Sequence, residues 1–286
     1  MAEFSKAIDM RIIEKLRGEP LFQSWLDEET LADCLLEDML KGEVFAAIRD
    51  GYVEFYCHGQ PLYLYWGGVF YAVSQCVFMP QGDKHGYVTE TELAGMKHHV
   101  RFQDAWEQTK MLCYCWAVNA GVCALYKYSF AAYPCERYFV LDVEIFLGMS
   151  LSTCEKIDLL LMDAHTGKLL FCETMNYADT QEVKRIAGQL ERYRDRIAEQ
   201  RDAIIEQYGE YTQTMAALTG IEIPAPTGVC DDCGLLIYGF DEDQKNGRLR
   251  KVMDGLTKMG WPVYAVEDIG DVTPETLFKA LAGEKG

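Results

Sequence analysis

The stretch KIDLLLMDAHTGKLLFCETMN, residues 156 to 176, reads as two strands joined by a tight turn, and it constrains the rest of the chain more than any other segment. If the turn is centred between His165 and Thr166, cross-strand partners have constant summed numbers. Asp158 then lies opposite Glu173, and Lys156 opposite Met175. Side chains two apart on a strand point the same way, so all four are expected on one face. Directly opposed residues bring their beta carbons to about 5 Å, close enough for two carboxylates to hold one divalent cation between them. The competing reading is a solvated sheet face on which Lys156 pairs with Glu173 or Asp158.

The segments on either side form a regular order. Residues 1 to 43 place apolar positions at helical spacing (Ile12, Ile13, Leu16, then Leu31, Leu35, Leu36 and Met39), with Gly42 as a helix stop. From Val44 the texture becomes VFAAIR, YVEFYCHG, PLYLYW and VFYAVS, separated by glycine-bearing turns, as in an antiparallel meander. Its aromatic residues could stack bases, although aromatics are favoured on strands in any case. The stretch from Met79 to His99 has little period and is expected to be a loop. His98 and His99 at its end are candidates for metal or catalytic work, or simply solvated histidines.

Helical spacing returns over 103–130, followed by the strands YFVLDVEIFL, KIDLLLMD and KLLFCETM. A long helix is expected from about Asp179 to Tyr208, then the buried strand GLLIYGF, a helix from Gln244 to Met259, the strand PVYAVED, and a last helix opened by Thr273-Pro274-Glu275. The fold class is α/β, and a boundary near residue 100 divides it. Residues 1–100 form a helical cap and β-meander, and residues 101–286 a domain built on a mixed sheet.

With 286 residues, 49% of them hydrophobic, the chain can bury a sizeable core. The longest apolar run, MLCYCWAVNAGVCALY from Met111, is too short and mixed to span a bilayer. The N-terminus lacks a secretory apolar region, so no membrane association and a cytoplasmic location are expected. Eleven cysteines scattered among apolar residues read as reduced thiols rather than a disulfide framework. The formal charge of −18, from 27 basic and 45 acidic residues, repels polyphosphate, so nucleic acid would need a local groove, a metal or a partner.

In DTQEVKRIAGQLERYRDRI, Val183, Ile186, Leu190, Tyr193 and Ile197 form an apolar stripe, with Gln189 on its flank one turn from Tyr193. Here the sequence resembles the PD-(D/E)xK nuclease superfamily, in particular its RecB-like branch with a Q-x-x-x-Y helix after the active-site strands. Ile157-Asp158 matches the first acidic motif, Glu173-Thr174-Met175 stands in the D/E-x-K slot, and Gln189 to Tyr193 matches the helix motif. The resemblance runs from about Trp106 to Glu267 and leaves the meander outside. It implies a restriction-endonuclease-like αβββαβ core and an Mg²⁺- or Mn²⁺-dependent phosphodiester hydrolase acting on DNA. Asp158 and Glu173 would bind the metal, with Gln189 and Tyr193 steadying the site. Glu144 on the preceding strand could add a third carboxylate, or be a surface charge near a strand end.

One residue departs from the pattern. The family's lysine helps orient the attacking water, and this chain has Met175 in its place, which can neither donate a hydrogen bond nor carry charge. The register argument sets Lys156 opposite that vacancy, so a migrated lysine is expected, with Lys184 as a second candidate. The alternative is a nuclease fold that has lost catalysis and serves as a binding or assembly subunit, with a protein partner or further copies of itself. Cys230-Asp-Asp-Cys233 could be completed to an iron–sulfur set by Cys123 or Cys135, as in some RecB-like nucleases. Those typically place three cysteines after the core and this chain has two, while zinc would need a second pair, so neither is expected. Gly239-Phe-Asp-Glu-Asp-Gln reads as a ligand loop after a strand or as a helix start whose acids complement the dipole.

Overall fold

The structure, a computed structural model, describes residues 6, 31–67, 69–73, 87–89, 102–116, 120–147, 156–180 and 182–283. After helix α1 (Leu31–Lys41), strands β1 (Val44–Arg49), β2 (Tyr52–Cys57), β3 (Gln60–Trp66), β4 (Val69–Val73) and β5 (Tyr87–Thr89) form an antiparallel sheet in chain order. Strand β5 falls within the expected loop, because Tyr87 to Thr89 pair with β4 and satisfy its otherwise open edge. His98, His99 and the N-terminal helical pattern before Leu31 lie outside the described residues.

Helix α2 (Phe102–Trp116) leads through short turns to β6 (Tyr138–Phe146), β7 (Lys156–Asp163) and β8 (Lys168–Asn176). The helical spacing expected to Phe130 stops sooner. Ala120–Cys123 is a single short helix and Tyr126–Tyr128 a 3-10 turn, and Gly121 sits so close to the Tyr238 ring that a Cβ there would collide with it. Helices α3 (Val183–Glu199) and α4 (Arg201–Thr219) replace the one long helix expected. They meet at Gln200, whose non-helical backbone (φ −116°) lets its amide donate to the Leu147 carbonyl at 3.0 Å.

The chain then forms β9 (Gly228–Val229) and β10 (Gly234–Tyr238), a helical turn capped by Asp241, helix α5 (Arg250–Lys258), β11 (Val263–Val266) and helix α6 (Pro274–Ala282). Asp241 accepts from the Gln244 N–H, so the acidic loop after β10 is a capped helix start. Thr273 caps α6 in the same way. These strands build a mixed sheet in the order β11-β10-β8-β7-β6, antiparallel across β6, β7 and β8 and parallel across β8, β10 and β11. The fold is therefore α/β with one mixed and one antiparallel sheet.

A single hydrophobic cluster joins Leu35, Phe55 and Trp106 to Leu141, Met162, Ile186 and Leu256, so the stretches before and after residue 100 share a core. A buried ion cluster reinforces that joint. Asp142 on β6 accepts from Lys6 Nζ at 2.5 Å, from Arg49 Nη1 of β1 at 3.0 Å and from the Tyr208 hydroxyl of α4 at 2.7 Å. Burial pulls the Lys6 ammonium down to about 7 while Asp142 opposes the shift. Burial works against the Asp142 carboxylate, but Arg49 and Lys6 outweigh it and hold the group below its usual range. Among the described residues, no helix is long and apolar enough to cross a membrane.

Candidate functional site

The hairpin of β7 and β8 is set at its turn end by Asp163. Its carboxylate accepts from Arg137 Nε and Nη2 at 2.9 and 2.7 Å, from the His165 N–H at 3.0 Å and from the Thr166 hydroxyl at 2.9 Å. The resulting register pairs Asp163 with Lys168 and Leu159 with Cys172, and one further step sets Asp158 against Glu173. On the other side, Glu144 lies between the pairs Val143 with Leu159 and Ile145 with Ile157, which sets it against Asp158. Three carboxylates thus stand in a row across β6, β7 and β8. Glu144 reaches its place with a left-handed backbone, φ 54°, inside a strand, a conformation that costs of order 1–3 kcal/mol in a non-glycine residue.

The β7–β8 ladder ends just before the acids, and the Asp158 side chain takes over from it. Its Oδ2 accepts from the Thr174 N–H at 2.8 Å and from the Thr174 hydroxyl at 2.7 Å. Burial pushes Asp158 up to about 6, against the pull of the Thr174 bonds and with the charge of Glu144 adding to the rise. Glu173 is pushed further, to about 9, first by burial and then by the Asp158 charge. Its Oε1 accepts from Gln189 Nε2 at 2.8 Å. Among the described residues, its buried Oε2 has no hydrogen-bond partner.

Helix α3 docks on this pair by its apolar stripe, with Ile186, Leu190, Tyr193 and Ile197 all buried. The stripe presents Gln189 to the sheet. The same Gln189 Nε2 donates to the Tyr193 hydroxyl at 2.9 Å, and that hydroxyl donates to the Lys156 carbonyl at 2.9 Å. A continuous chain of bonds therefore runs from Glu173 through Gln189 and Tyr193 to the first residue of β7.

Glu144, Asp158, Glu173, Met175 and Gln189 all line one cavity of about 390 Å³. Lys156 does not line it. The expectation that its ammonium fills the vacancy at Met175 is corrected here: Lys156 Nζ donates to Glu144 Oε2 at 2.9 Å and lies 4.9 Å from the Phe146 ring centre. The reason is the pairing of Lys156 with Phe146, which makes Glu144 a diagonal neighbour and an anion within easy reach. Met175 is only 9% exposed and packs into the core, while Lys184 is exposed on α3.

The residues fit a hard divalent cation at the acid pair. Magnesium needs only one or two carboxylates, completing its shell with waters and substrate phosphate, and among the described residues Glu173 Oε2 is a carboxyl oxygen without a hydrogen-bond partner, opposite Asp158 on the hairpin. Glu144 is engaged by Lys156, and among the described residues no three Asp, Glu, His or Cys side chains converge on one metal position. Cys233 is buried, its thiol donating to the Gly234 carbonyl at 3.6 Å, and Cys135 is exposed. Cys123 lines the acid cavity, whereas Cys230 lines a separate hollow with Lys168 and Arg201.

Sequence reasoning missed part of the lining. His58, Gly59 and Gln60 come from the β2–β3 turn, and Asp179 and Tyr238 from the ends of the mixed-sheet strands and their loops. The sequence marks the glycine turn at Gly59, but nothing local shows that this turn meets β8 from the other sheet. Comparisons with protein-family models, with curated proteins and with solved structures found no match to this chain.

Proposed function

We propose that this chain is a divalent-metal-dependent phosphodiester hydrolase acting on DNA, a PD-(D/E)xK nuclease of the RecB-like kind with its lysine slot altered. The observation that carries the reading is Glu173, whose side chain lines a cavity with Asp158: one carboxyl oxygen is fixed by Gln189 and the other, among the described residues, is buried without a hydrogen-bond partner. A buried anionic oxygen left unsatisfied is costly and calls for a cation or proton to complete it. The strand order supports the same reading, since three antiparallel strands, a helix, and a strand added parallel to β8 are what an αβββαβ core requires.

Asp158 and Glu173 would hold the metal. When bound, such an ion neutralises charge developing on the phosphate and makes a bound water more acidic. The chain's own groups position the acids: Thr174 fixes the Asp158 carboxylate, Gln189 fixes Glu173, and Tyr193 ties both strands to α3. On α3, Arg185, Gln189, Arg192 and Arg196 recur at spacings of four, three and four, which aligns them along one helix face. Arg185 and Arg192 are exposed and Arg196 pairs with Glu199 at 3.0 Å, so two exposed guanidinium groups flank Gln189 on this face of an otherwise acidic protein.

A second reading, a nuclease fold that binds without cutting, is favoured by one observation: the lysine slot is filled by a buried methionine. A cleavage assay separates the two. Single- and double-stranded DNA is incubated with Mg²⁺ or Mn²⁺ and either the wild type or an Asp158→Ala, Glu173→Ala double variant. Cation-dependent cleavage by the wild type alone supports the hydrolase. Binding of DNA with no cleavage by either protein supports the second reading.

A further inference from the structure

The middle position of the D/E-x-K slot, to which the resemblance assigns no role, is Thr174 in this chain. Around the acids, β7 and β8 part. Their ladder runs from Asp163 with Lys168 as far as Leu159 with Cys172, whereas β7 stays paired with β6 to Lys156 and β8 stays paired with β10 to Asn176. Each strand is thus held by its outer neighbour, and the acids stand where the two separate. Thr174 spans the gap. Its N–H at 2.8 Å and its hydroxyl at 2.7 Å both donate to the same oxygen, Asp158 Oδ2. Among the described residues no hydrogen bond falls on Asp158 Oδ1, and Asp158, Glu173 and Thr174 all line the acid cavity. Glu173 is likewise held by one oxygen, Oε1, which Gln189 occupies, while Oε2 has no hydrogen-bond partner among the described residues.

We propose that Thr174 is a positioning residue for the cation, holding Asp158 by Oδ2 so that Oδ1 is the oxygen presented to the metal. The inference rests on the metal-dependent reading above and adds to it the ligating atoms, Asp158 Oδ1 and Glu173 Oε2, one from each strand. The hydroxyl is suited to the task because it donates a proton without bringing a charge, so it fixes the acid without competing with the ion. Glu144 shows the contrast, since the ammonium of Lys156 already neutralises it. Without the hydroxyl, Oδ2 keeps only the backbone N–H of Thr174, and the carboxylate is freer to turn about its bond to Cβ. Two acids giving one oxygen each leave most of an octahedral Mg²⁺ or Mn²⁺ shell to water and substrate phosphate.

The test uses Thr174→Val, Thr174→Ala and Thr174→Ser in the full chain, with Mn²⁺ as the probe. Valine matches threonine in shape and suits a strand, alanine removes the branch, and serine keeps the hydroxyl. All three retain the backbone N–H that bonds Oδ2. Supporting bonds to metal ligands typically contribute 10- to 100-fold to affinity, so by titration calorimetry the valine and alanine variants are expected to bind Mn²⁺ at least about tenfold more weakly than the wild type, and the serine variant within about threefold of it. Mn²⁺-dependent DNA cleavage is expected to follow the same order. Wild-type affinity in the valine and alanine variants, or an equal loss in the serine variant, would overturn the role of the hydroxyl and leave the metal site standing. Affinities in the expected order with no cleavage by the wild type would support the role of Thr174 and overturn the hydrolase reading alone. A wild type that binds no Mn²⁺ would overturn the metal site and the role of Thr174 with it.

Discussion

Gln189 donates from Nε2 to Glu173 Oε1 at 2.8 Å, which fixes one oxygen of the carboxyl group to helix α3, while the other is buried and, among the described residues, unpaired. That bond acts through Glu173 rather than on substrate. Residues supporting metal ligands in this way typically contribute 10- to 100-fold to affinity or activity, so Gln189→Ala is expected to weaken Mn²⁺ binding by at least about tenfold. Tyr193→Phe removes the hydroxyl that joins Gln189 to the Lys156 carbonyl, and should cost about 1 kcal/mol in stability. Calorimetric Mn²⁺ titration and denaturant unfolding measure the two effects.

The raised proton affinity of Glu173 makes the metal-free protein sensitive to pH. Its folded-state value is about 9 against an ordinary 4.5, so the folded protein holds a proton that the unfolded chain releases. The associated stability is present below pH 4.5 and is lost as pH rises toward 9. The Asp158 contribution is lost by about pH 6, and the buried Lys6, held at about 7, acts in the opposite sense above that pH. In chelator, the melting temperature of the wild type relative to that of Glu173→Gln is therefore expected to fall as pH rises from 6 to 9. Mn²⁺ at pH 8 should raise the wild-type midpoint and leave that of the variant unchanged.

Met175 lines the acid cavity at the position where the resemblance calls for lysine. A lysine there would share the space with Asp158 and Glu173, and two carboxylates offset the burial of one ammonium. Met175→Lys is expected to raise the rate of Mn²⁺-dependent DNA cutting above that of the wild type.

Asp142 pairs with both the buried Lys6 and the buried Arg49. Asp142→Asn removes the carboxylate that Lys6 and Arg49 share, and breaking a buried pair in this way typically costs about 3–5 kcal/mol. Urea unfolding should show a loss of about that size, and a lower melting temperature at neutral pH.

The hairpin could be read from the sequence because its register depends on local facts, a short turn and alternating side chains. Gln189 and Tyr193 could be read because the apolar stripe of α3 leaves little freedom in how that helix docks. Lys156 could not be placed in the same way. Register says which residue is opposite, but the ammonium on its flexible stem follows the nearest available anion, and the left-handed Glu144 supplied one on the far strand. The split at Gln200 and the entry of His58 into the cavity depend on contacts between distant segments, which carry no periodic signal.

The claim on which the account depends is that Asp158 and Glu173 together hold one divalent cation. Titration calorimetry with Mn²⁺ at neutral pH tests it directly, comparing the wild type with an Asp158→Asn, Glu173→Gln double variant. The account predicts one site in the wild type and none in the variant. Equal binding by both proteins, or binding by neither, would contradict it.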